Sequence, residues 1–216
     1  MSIKQLFGLR YILRHDIRIR DNRAESVGLG AKPWGQKEDR TMELNDQKQW
    51  YAIRTFHNKA TTVCRIAERE EVEWYTPIRE EELLEGGEVV VRHTPLMPSL
   101  LFLRANEGFI ARLRVETQDN ILPYCEPGTA KPKPIADDEM ELFRFVATTA
   151  ARSLEPVDEK LLTQGSRVRI TGGVFEGKVG YIVRVRGDRR FVVSIKGVAT
   201  IATTYVPKQF ICPIVD

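Results

Sequence analysis

The sequence predicts an α+β fold, in which an N-terminal α/β sandwich of helices on an antiparallel sheet is followed by a C-terminal β-barrel. Three observations support this fold class. Residues 47–149 alternate between runs with the apolar period of a strand and runs with that of a helix. The pattern lapses in residues 150–163, which read as a polar linker. Residues 164–216 contain only short alternating runs separated by turns, as small barrels do.

Length and composition indicate a soluble protein with one large or two small cores. The chain has 216 residues, of which 42% are hydrophobic and 29% are charged. No apolar run approaches the roughly 18 residues of a membrane span, and charges interrupt the N-terminus too early for a signal peptide. The three cysteines are distant in sequence and indicate neither a disulfide framework nor a zinc site. We therefore expect a cytoplasmic protein without membrane contacts.

Charge is distributed unevenly, although the formal net charge is only +3. Residues 1–46 carry 9 Lys or Arg against 7 Asp or Glu, residues 47–163 carry 15 against 20, and residues 164–216 carry 9 against 3. The basic C-terminal segment is suited to RNA or to an acidic protein surface, and it also fits a solvated barrel face. The acidic middle segment argues against nucleic acid wrapping around the whole protein.

The first 46 residues have two interpretations. Apolar residues lie near helical spacing between Leu6 and Ile17, which fits a basic amphipathic helix in contact with a membrane or nucleic acid. The interpretation we adopt for residues 1–46 is a disordered or non-native basic extension. Met42 lies shortly before the first convincing strand, and we hypothesise that it is the natural start.

The first domain opens with a strand and a helix. Trp50–Phe56 is rich in β-forming residues, and Asn58 is placed to cap the helix that follows. Cys64 lies on the apolar face of this helix, so we interpret it as a core residue rather than a nucleophile. That face has the i, i+3, i+4, i+7 spacing and is formed by Ala60, Val63, Cys64 and Ala67.

The rest of the first domain continues as strands and two helices. Glu85-Gly-Gly-Glu88 predicts a hairpin turn. One short helix contains Phe109, and a second begins at a cap formed by Asp137 or Asp138. The predicted strands are Val72–Ile78, Val89–His93, Leu100–Arg104 and Ile121–Cys125.

A glycine-rich turn from Gly172 to Gly180 joins the first two strands of the second domain. Gly172–Lys178 fits the first seven positions of a nucleotide-binding P-loop. Val179 stands where the P-loop requires a magnesium-binding Ser or Thr, and a strand rather than a helix follows. We therefore interpret this turn as a shaped loop that presents its side chains, and not as a phosphate site.

Four segments occur in the order and spacing of a known family. They are Trp50-Tyr51, Leu96–Phe102 in place of a Phe-Pro-Gly-Tyr motif, the helix after Ile135-Ala-Asp137, and Gly165–Gly180. Over about three quarters of its length the chain resembles the NusG family of transcription elongation factors, whose N-terminal domain is linked to an SH3-like KOW barrel. The Gly-x-Phe-Glu-Gly turn and the Trp-Tyr strand are similar to the specialised members RfaH and UpxY, the latter acting on Bacteroides capsular polysaccharide operons.

The resemblance implies a non-catalytic antitermination factor. Such a factor binds the clamp helices of the largest RNA polymerase subunit and suppresses pausing and termination at specific operons, for example capsular polysaccharide operons. The positions that match the polymerase-binding apolar patch are Arg54, Met97, Pro98, Leu100 and Phe102. Arg54 stands where an aromatic residue is frequent, and Phe102 fits a core strand as well as an interface.

The resemblance also implies further partners. His57, Asn58 and Lys59 match a region that reads exposed non-template DNA in RfaH-like proteins, and they fit equally a solvated loop at a helix start. Phe175 matches the aromatic through which the barrel contacts a small ribosomal-subunit protein or termination factor Rho, so we expect it to point outward. Lys178 replaces a second aromatic, which argues against Rho. Nascent RNA is another expected contact.

The sequence also bears on two other functional classes. A ribosome- or RNA-binding KOW protein is the main alternative, and it predicts RNA binding that is independent of polymerase and steeply salt-dependent. An enzyme is not supported, because His15, His57 and His93 are the only histidines and no catalytic or metal-ligand spacing exists. We expect a monomer with no catalytic residues, no cofactor and no metal.

Overall fold

The structure, a computed structural model, describes residues 47–214. The expectations for residues 1–46, including the basic helix and the start at Met42, lie outside the described residues. No helix in the described part of the chain is long and apolar enough to span a bilayer.

The first domain contains seven strands and three helices within residues 47–149. In chain order they are β1 (Gln49–Thr55), α1 (Ala60–Arg69), β2 (Glu73–Tyr75), β3 (Ile78–Glu85), β4 (Glu88–Pro95), β5 (Leu100–Ala105), α2 (Glu107–Glu116), β6 (Ile121–Pro123), β7 (Pro134–Ile135) and α3 (Asp137–Thr149).

An antiparallel sheet with the strand order β2-β5-β1-β6 lies at the centre of this domain, and β7 also pairs with β1. Successive residues of a strand point to opposite faces, and both faces of this sheet are covered. Tyr51 and Ile53 pack with α1 and α2, whereas Trp50 and Ala52 belong to the cluster that includes α3. Burial on both faces explains the continuous apolar runs of β1 and β5. The predicted arrangement of helices on an antiparallel sheet is confirmed.

Two predicted helix caps are wrong. The N-cap of α1 is Lys59, which makes no side-chain capping bond, while Asn58 precedes it in a left-handed conformation with φ of 56°. The N-cap of α3 is Ala136. Asp137 and Asp138 instead occupy the first turn of α3, where carboxylates interact favourably with the positive end of the helix dipole.

Strands β3 and β4 form a separate two-stranded hairpin. Gly86 and Gly87 make its turn with φ of 64° and 91°, which matches the primed turns that suit a two-residue hairpin loop. The pairing runs from Glu85 opposite Glu88 to Ile78 opposite Pro95. The predicted turn is confirmed, but the predicted strand from residue 72 to residue 78 is divided between β2 and the start of β3.

The second sheet contains six antiparallel strands. Its order is β13-β9-β10-β11-β12-β8, and within residues 47–214 the two end strands do not pair with each other. The sequence predicts a closed or nearly closed barrel, and the hydrogen-bonded strands of this sheet do not form a closed ring. Its strands are β8 (Glu155–Pro156), β9 (Ser166–Ile170), β10 (Val179–Val185), β11 (Asp188–Ile195), β12 (Ala199–Tyr205) and β13 (Ile211–Pro213).

Part of the predicted linker has regular structure. Strand β8 pairs with β12, and a 3-10 helix covers Glu159–Gln164. Helix α3 packs against β11 and β12 of the second sheet as well as against the first sheet. One buried cluster consequently extends from Trp50 and Phe102 in the first sheet to Phe191 in the second.

Candidate functional site

Two residues of the predicted polymerase-binding patch lie in the protein interior. Leu100 and Phe102 are buried on the side of the first sheet that faces α3. The ring centroid of Phe102 lies 5.6 Å from that of Phe143 and 6.1 Å from that of Tyr75. Of the two readings that the sequence leaves open for Phe102, the structure supports the core.

The loop between β4 and β5 carries the other apolar patch residues. Pro98 is exposed, whereas Met97 is half-buried against the cluster that joins the two sheets. The amide of Leu100 donates to the carbonyl oxygen of Met97 at 3.0 Å, which closes a tight turn. Met97 and Val198, which lies between strands β11 and β12 of the second sheet, both line an open cavity of about 250 Å³. Pro98 is therefore the more accessible of the two residues.

Arg54 lies near the end of β1 and is exposed. Its guanidinium carbon sits 5.5 Å from the centroid of the Phe56 ring, a cation–π contact. In the sheet Arg54 is directly opposite Leu100 on one side and Leu122 on the other. Leu122 is half-exposed, so it presents an apolar side chain beside Arg54. Sequence reasoning missed Leu122, and only its cross-strand register could have identified it.

Backbone hydrogen bonds bring three loops together at this end of β1. The amide of Thr55 donates to the carbonyl oxygen of Ser99 at 2.8 Å, which holds the loop of Pro98 against the strand. The amide of Phe56 donates to the carbonyl oxygen of Asn120 at 3.0 Å, which holds the loop after α2. The strand then continues into His57. The exposed residues of the predicted polymerase-binding patch, Arg54 and Pro98, and the predicted DNA-binding residues thus share one end of the sheet.

The loop of His57 and Asn58 has an unusual backbone. Both residues are left-handed, with φ of 49° and 56°, and so are Gln118 and Asp119 in the neighbouring loop. Such angles are uncommon for residues other than glycine. The side chains of His57 and Asn58 are exposed, whereas Lys59 is half-buried.

A side-chain hydrogen bond of 2.8 Å joins Nδ1 of His57 to Oδ1 of Asn120. Asn120 Nδ2 donates to the carbonyl oxygens of Thr117 and Gln118 at 3.0 and 3.2 Å, which fixes the orientation of the amide. Its Oδ1 must then accept from a protonated Nδ1 of His57. The other ring nitrogen of His57, Nε2, takes no part in this hydrogen bond.

The expected outward orientation of Phe175 is wrong. Its side chain is only 5% exposed and lies between two other rings. The centroid of Phe175 is 5.6 Å from that of Phe191 and 6.5 Å from that of Phe145, the latter in an edge-on arrangement. The Nζ of Lys178 sits 4.5 Å from the centroid of Phe145. Both residues predicted to bind a barrel partner therefore contact α3 of the same chain.

The arginines of the second sheet differ in their surroundings. Arg190 is largely buried and its Nη1 lies 3.1 Å from Oε1 of Glu155, so it ties β11 to β8. Arg184 stands directly opposite Arg189 in the pairing of β10 with β11. Opposed like charges are unfavourable in a sheet unless an anion lies nearby. This pair is a candidate contact for a phosphate group.

Cys64 has the properties of a core residue. It is buried on α1, and burial, with a further contribution from the charge of Glu68, raises the pKa of its thiol to about 12. Such a thiol is protonated and unreactive at neutral pH. Within residues 47–214, no group of three His, Cys, Asp or Glu side chains is placed to hold a metal ion.

Comparison with known protein families finds a similarity for part of the chain. Residues 48–144 match the family model described as transcription termination factor nusG. No curated protein matches the chain. The matched region covers a little under half of the chain and includes β1 through most of α3. Residues 48–144, and with them the exposed end of β1, are thus similar to the NusG family.

Proposed function

We propose that this protein is a transcription elongation and antitermination factor. It binds the clamp helices of the largest subunit of RNA polymerase and suppresses pausing and termination at specific operons, such as those for capsular polysaccharides, in the manner of RfaH and UpxY. The observation that carries this proposal is the match of residues 48–144 to the NusG family. The antiparallel second sheet supports an SH3-like KOW unit as the second domain, after a linker within residues 150–163.

Exposure at the end of β1 indicates which of the predicted residues can contact the polymerase. Leu100 and Phe102 are buried, so they support this surface from beneath rather than contact a partner. Arg54, Pro98 and Leu122 are exposed around the same strand end. An apolar centre beside an arginine is a frequent composition of protein interfaces. We therefore assign polymerase contact to these three residues, with Met97 at the margin.

The neighbouring loop is assigned to non-template DNA. His57 and Asn58 present exposed polar side chains from a loop held by Asn120, and Lys59 adds a positive charge. Exposed bases offer donors and acceptors that such side chains can bind, while phosphates attract the lysine. Because this loop adjoins the polymerase surface, both contacts can form in one complex.

Binding to purified core RNA polymerase tests this assignment. The double variant Pro98→Asp/Leu122→Asp should bind at least about tenfold more weakly, because buried carboxylates are costly at the centre of an interface. It should also lose the suppression of pausing in transcription on a template with a known pause. Val115→Asp is the control, since Val115 is also apolar, is more exposed than Leu122 (79% against 50%) and lies on α2. Undiminished binding by the double variant would refute the surface assignment.

A polymerase-independent RNA-binding or ribosome-binding function is the second candidate. The opposed Arg184 and Arg189 favour it, because their repulsion would be relieved by a phosphate. This function requires RNA binding by the protein alone, with affinity that falls steeply as salt increases. Co-purification with polymerase that survives nuclease treatment would count against it.

A further inference from the structure

Strand β4 has one edge without a partner. Within residues 47–214 it pairs only with β3. The two-residue turn makes Glu85 and Glu88 a hydrogen-bonded pair, so the next residue of β4 and every second one after it turn their backbone amide and carbonyl groups away from β3. The first two of these residues are Val89 and Val91. The strand therefore offers unpaired backbone donors and acceptors to a further strand.

The tip of this edge lacks the features that usually prevent a strand from pairing with another chain. Val89, Val90 and Val91 are 67%, 41% and 42% exposed, so neither face of the strand is covered there. Consecutive β-branched residues also favour the extended backbone. The pairing with β3 runs without a bulge, and the proline of β4, Pro95, lies at the far end of the strand. Bulges, prolines and lysines are the usual protection of an edge, so this one is suited to accept a strand.

The sequence of β4 is complementary to itself in charge. When two copies pair antiparallel about Val90, Glu88 of each copy lies directly opposite Arg92 of the other. In the same register Val89 lies opposite Val91. A shift of two residues in either direction removes both contacts between opposite charges. Because such contacts stabilise a sheet, charge selects this register and a second copy of the hairpin as the occupant.

Glu88 is available for this contact. It is exposed and makes no ion pair within residues 47–214. Each of the other glutamates of the hairpin has an arginine within ion-pair distance in its own chain. The pairs are Glu80 and Glu82 with Arg152, Glu81 with Arg79, and Glu85 with Arg92. In the paired hairpins Arg92 would lie between Glu85 of its own chain and Glu88 of the other copy.

We propose that two copies of this protein associate through the open edges of β4, in an antiparallel register centred on Val90. The two hairpins then form one sheet with the strand order β3-β4-β4-β3. Leu84, Val89 and Val91 of both copies lie on one face of this sheet, where they cover apolar surface that each copy alone exposes. The contact adds about four backbone hydrogen bonds and is small, so the dimer is weak and depends on concentration. It differs from the monomer that the sequence predicts, and it does not depend on the polymerase proposal.

Disulfide formation tests the register in the full-length protein, after Cys125 and Cys212, the cysteines that are not buried, are replaced by serine. In the proposed dimer the two copies of Val90 form a non-hydrogen-bonded pair with Cα atoms about 4.5 Å apart, a distance that a disulfide spans. With copper phenanthroline as oxidant, Val90→Cys should therefore form covalent dimers at least about tenfold faster than Leu84→Cys. Leu84 is more exposed, at 75%, but lies on β3, away from the two-fold axis. Equal rates at the two positions would overturn the proposal.

Exchange of charges separates this pairing from association through other parts of the chain. Glu88→Arg and Arg92→Glu should each lower the dimer fraction several-fold in sedimentation equilibrium, because like charges then face one another. A mixture of the two variants should restore association, since positions 88 and 92 of one variant then face opposite charges on the other. Far-UV circular dichroism verifies that each variant is folded. A wild type that stays monomeric up to millimolar concentration, or a mixture that associates no better than its components, would contradict the pairing.

Discussion

Phe102 shows how the same residue can satisfy two opposite interpretations until its neighbours are known. Its position in an apolar strand fits both a core and an interface, because both environments favour large aromatic side chains. The rings of Tyr75 and Phe143 enclose it, so its contribution is to the stability of the first domain. Any effect of its replacement on partner binding must therefore be separated from unfolding.

Phe102→Ala should lower the free energy of unfolding by about 3–5 kcal/mol, because it leaves a cavity in the core. Chemical denaturation followed by circular dichroism measures this change. Leu122→Ala is the comparison, since its side chain is half-exposed and should cost much less. A loss below about 1 kcal/mol for Phe102→Ala would mean that the side chain is not enclosed as described.

Cys64 predicts a dependence of stability on alkaline pH. Its pKa is raised from 9.0 to about 12, mainly by burial, so the folded state holds the thiol proton more tightly than the unfolded chain. The stabilising contribution of the protonated thiol is complete below pH 9 and is lost as pH rises from 9 towards 12.

Denaturation of the wild type and of Cys64→Ala between pH 8 and pH 10.5 tests this dependence. The wild type should lose more stability than the variant over this interval, because the variant has no thiol at this position. All other titrating groups are common to the two proteins. The difference between their free energies of unfolding therefore isolates the contribution of the Cys64 thiol. Parallel stability curves would contradict the raised pKa.

Among the elements, α3 has contacts on two sides. On the first sheet, the guanidinium of Arg144 lies 5.4 Å from the centroid of Trp50 and 5.3 Å from that of Tyr75, and pairs with Glu73 at 2.8 Å. On the side of the second sheet, the ring of Phe145 contacts the ring of Phe175 and the ammonium group of Lys178. Since these sets of residues differ, one contact can be weakened without removing the other.

Phe145→Asp should weaken the contact between α3 and the second sheet. The lost ring pair and cation–π contact are each worth roughly 0.5–1.5 kcal/mol. Hydrogen exchange should accelerate in residues 173–178, while exchange in β1 stays unchanged because Arg144 still anchors α3. Faster exchange in both regions would show that α3 cannot leave one sheet without disturbing the other. Val115→Asp controls for an added carboxylate on a helix.

At the scale of the whole molecule, the two units are joined more closely than a linker implies. A cluster of buried side chains passes from the first sheet through α3 to the second sheet. The segment after α3 contacts the β3–β4 hairpin through Ala151, Arg152 and Leu154, and then enters the second sheet as β8. Residues 151–156 consequently connect the β3–β4 hairpin to the second sheet.

The sequence by itself determined the elements whose signal is local. The continuous apolar run of β5, the apolar face of α1 and the Gly86-Gly87 turn all depend on residues close together in the chain, so the sequence predicts each of them. The tertiary structure alone decided which apolar residues are covered. Phe175 turns inward because Phe145, 30 positions earlier, lies against it, and Leu122 joins Arg54 because of strand register. Burial is a property of distant neighbours, which periodicity does not encode.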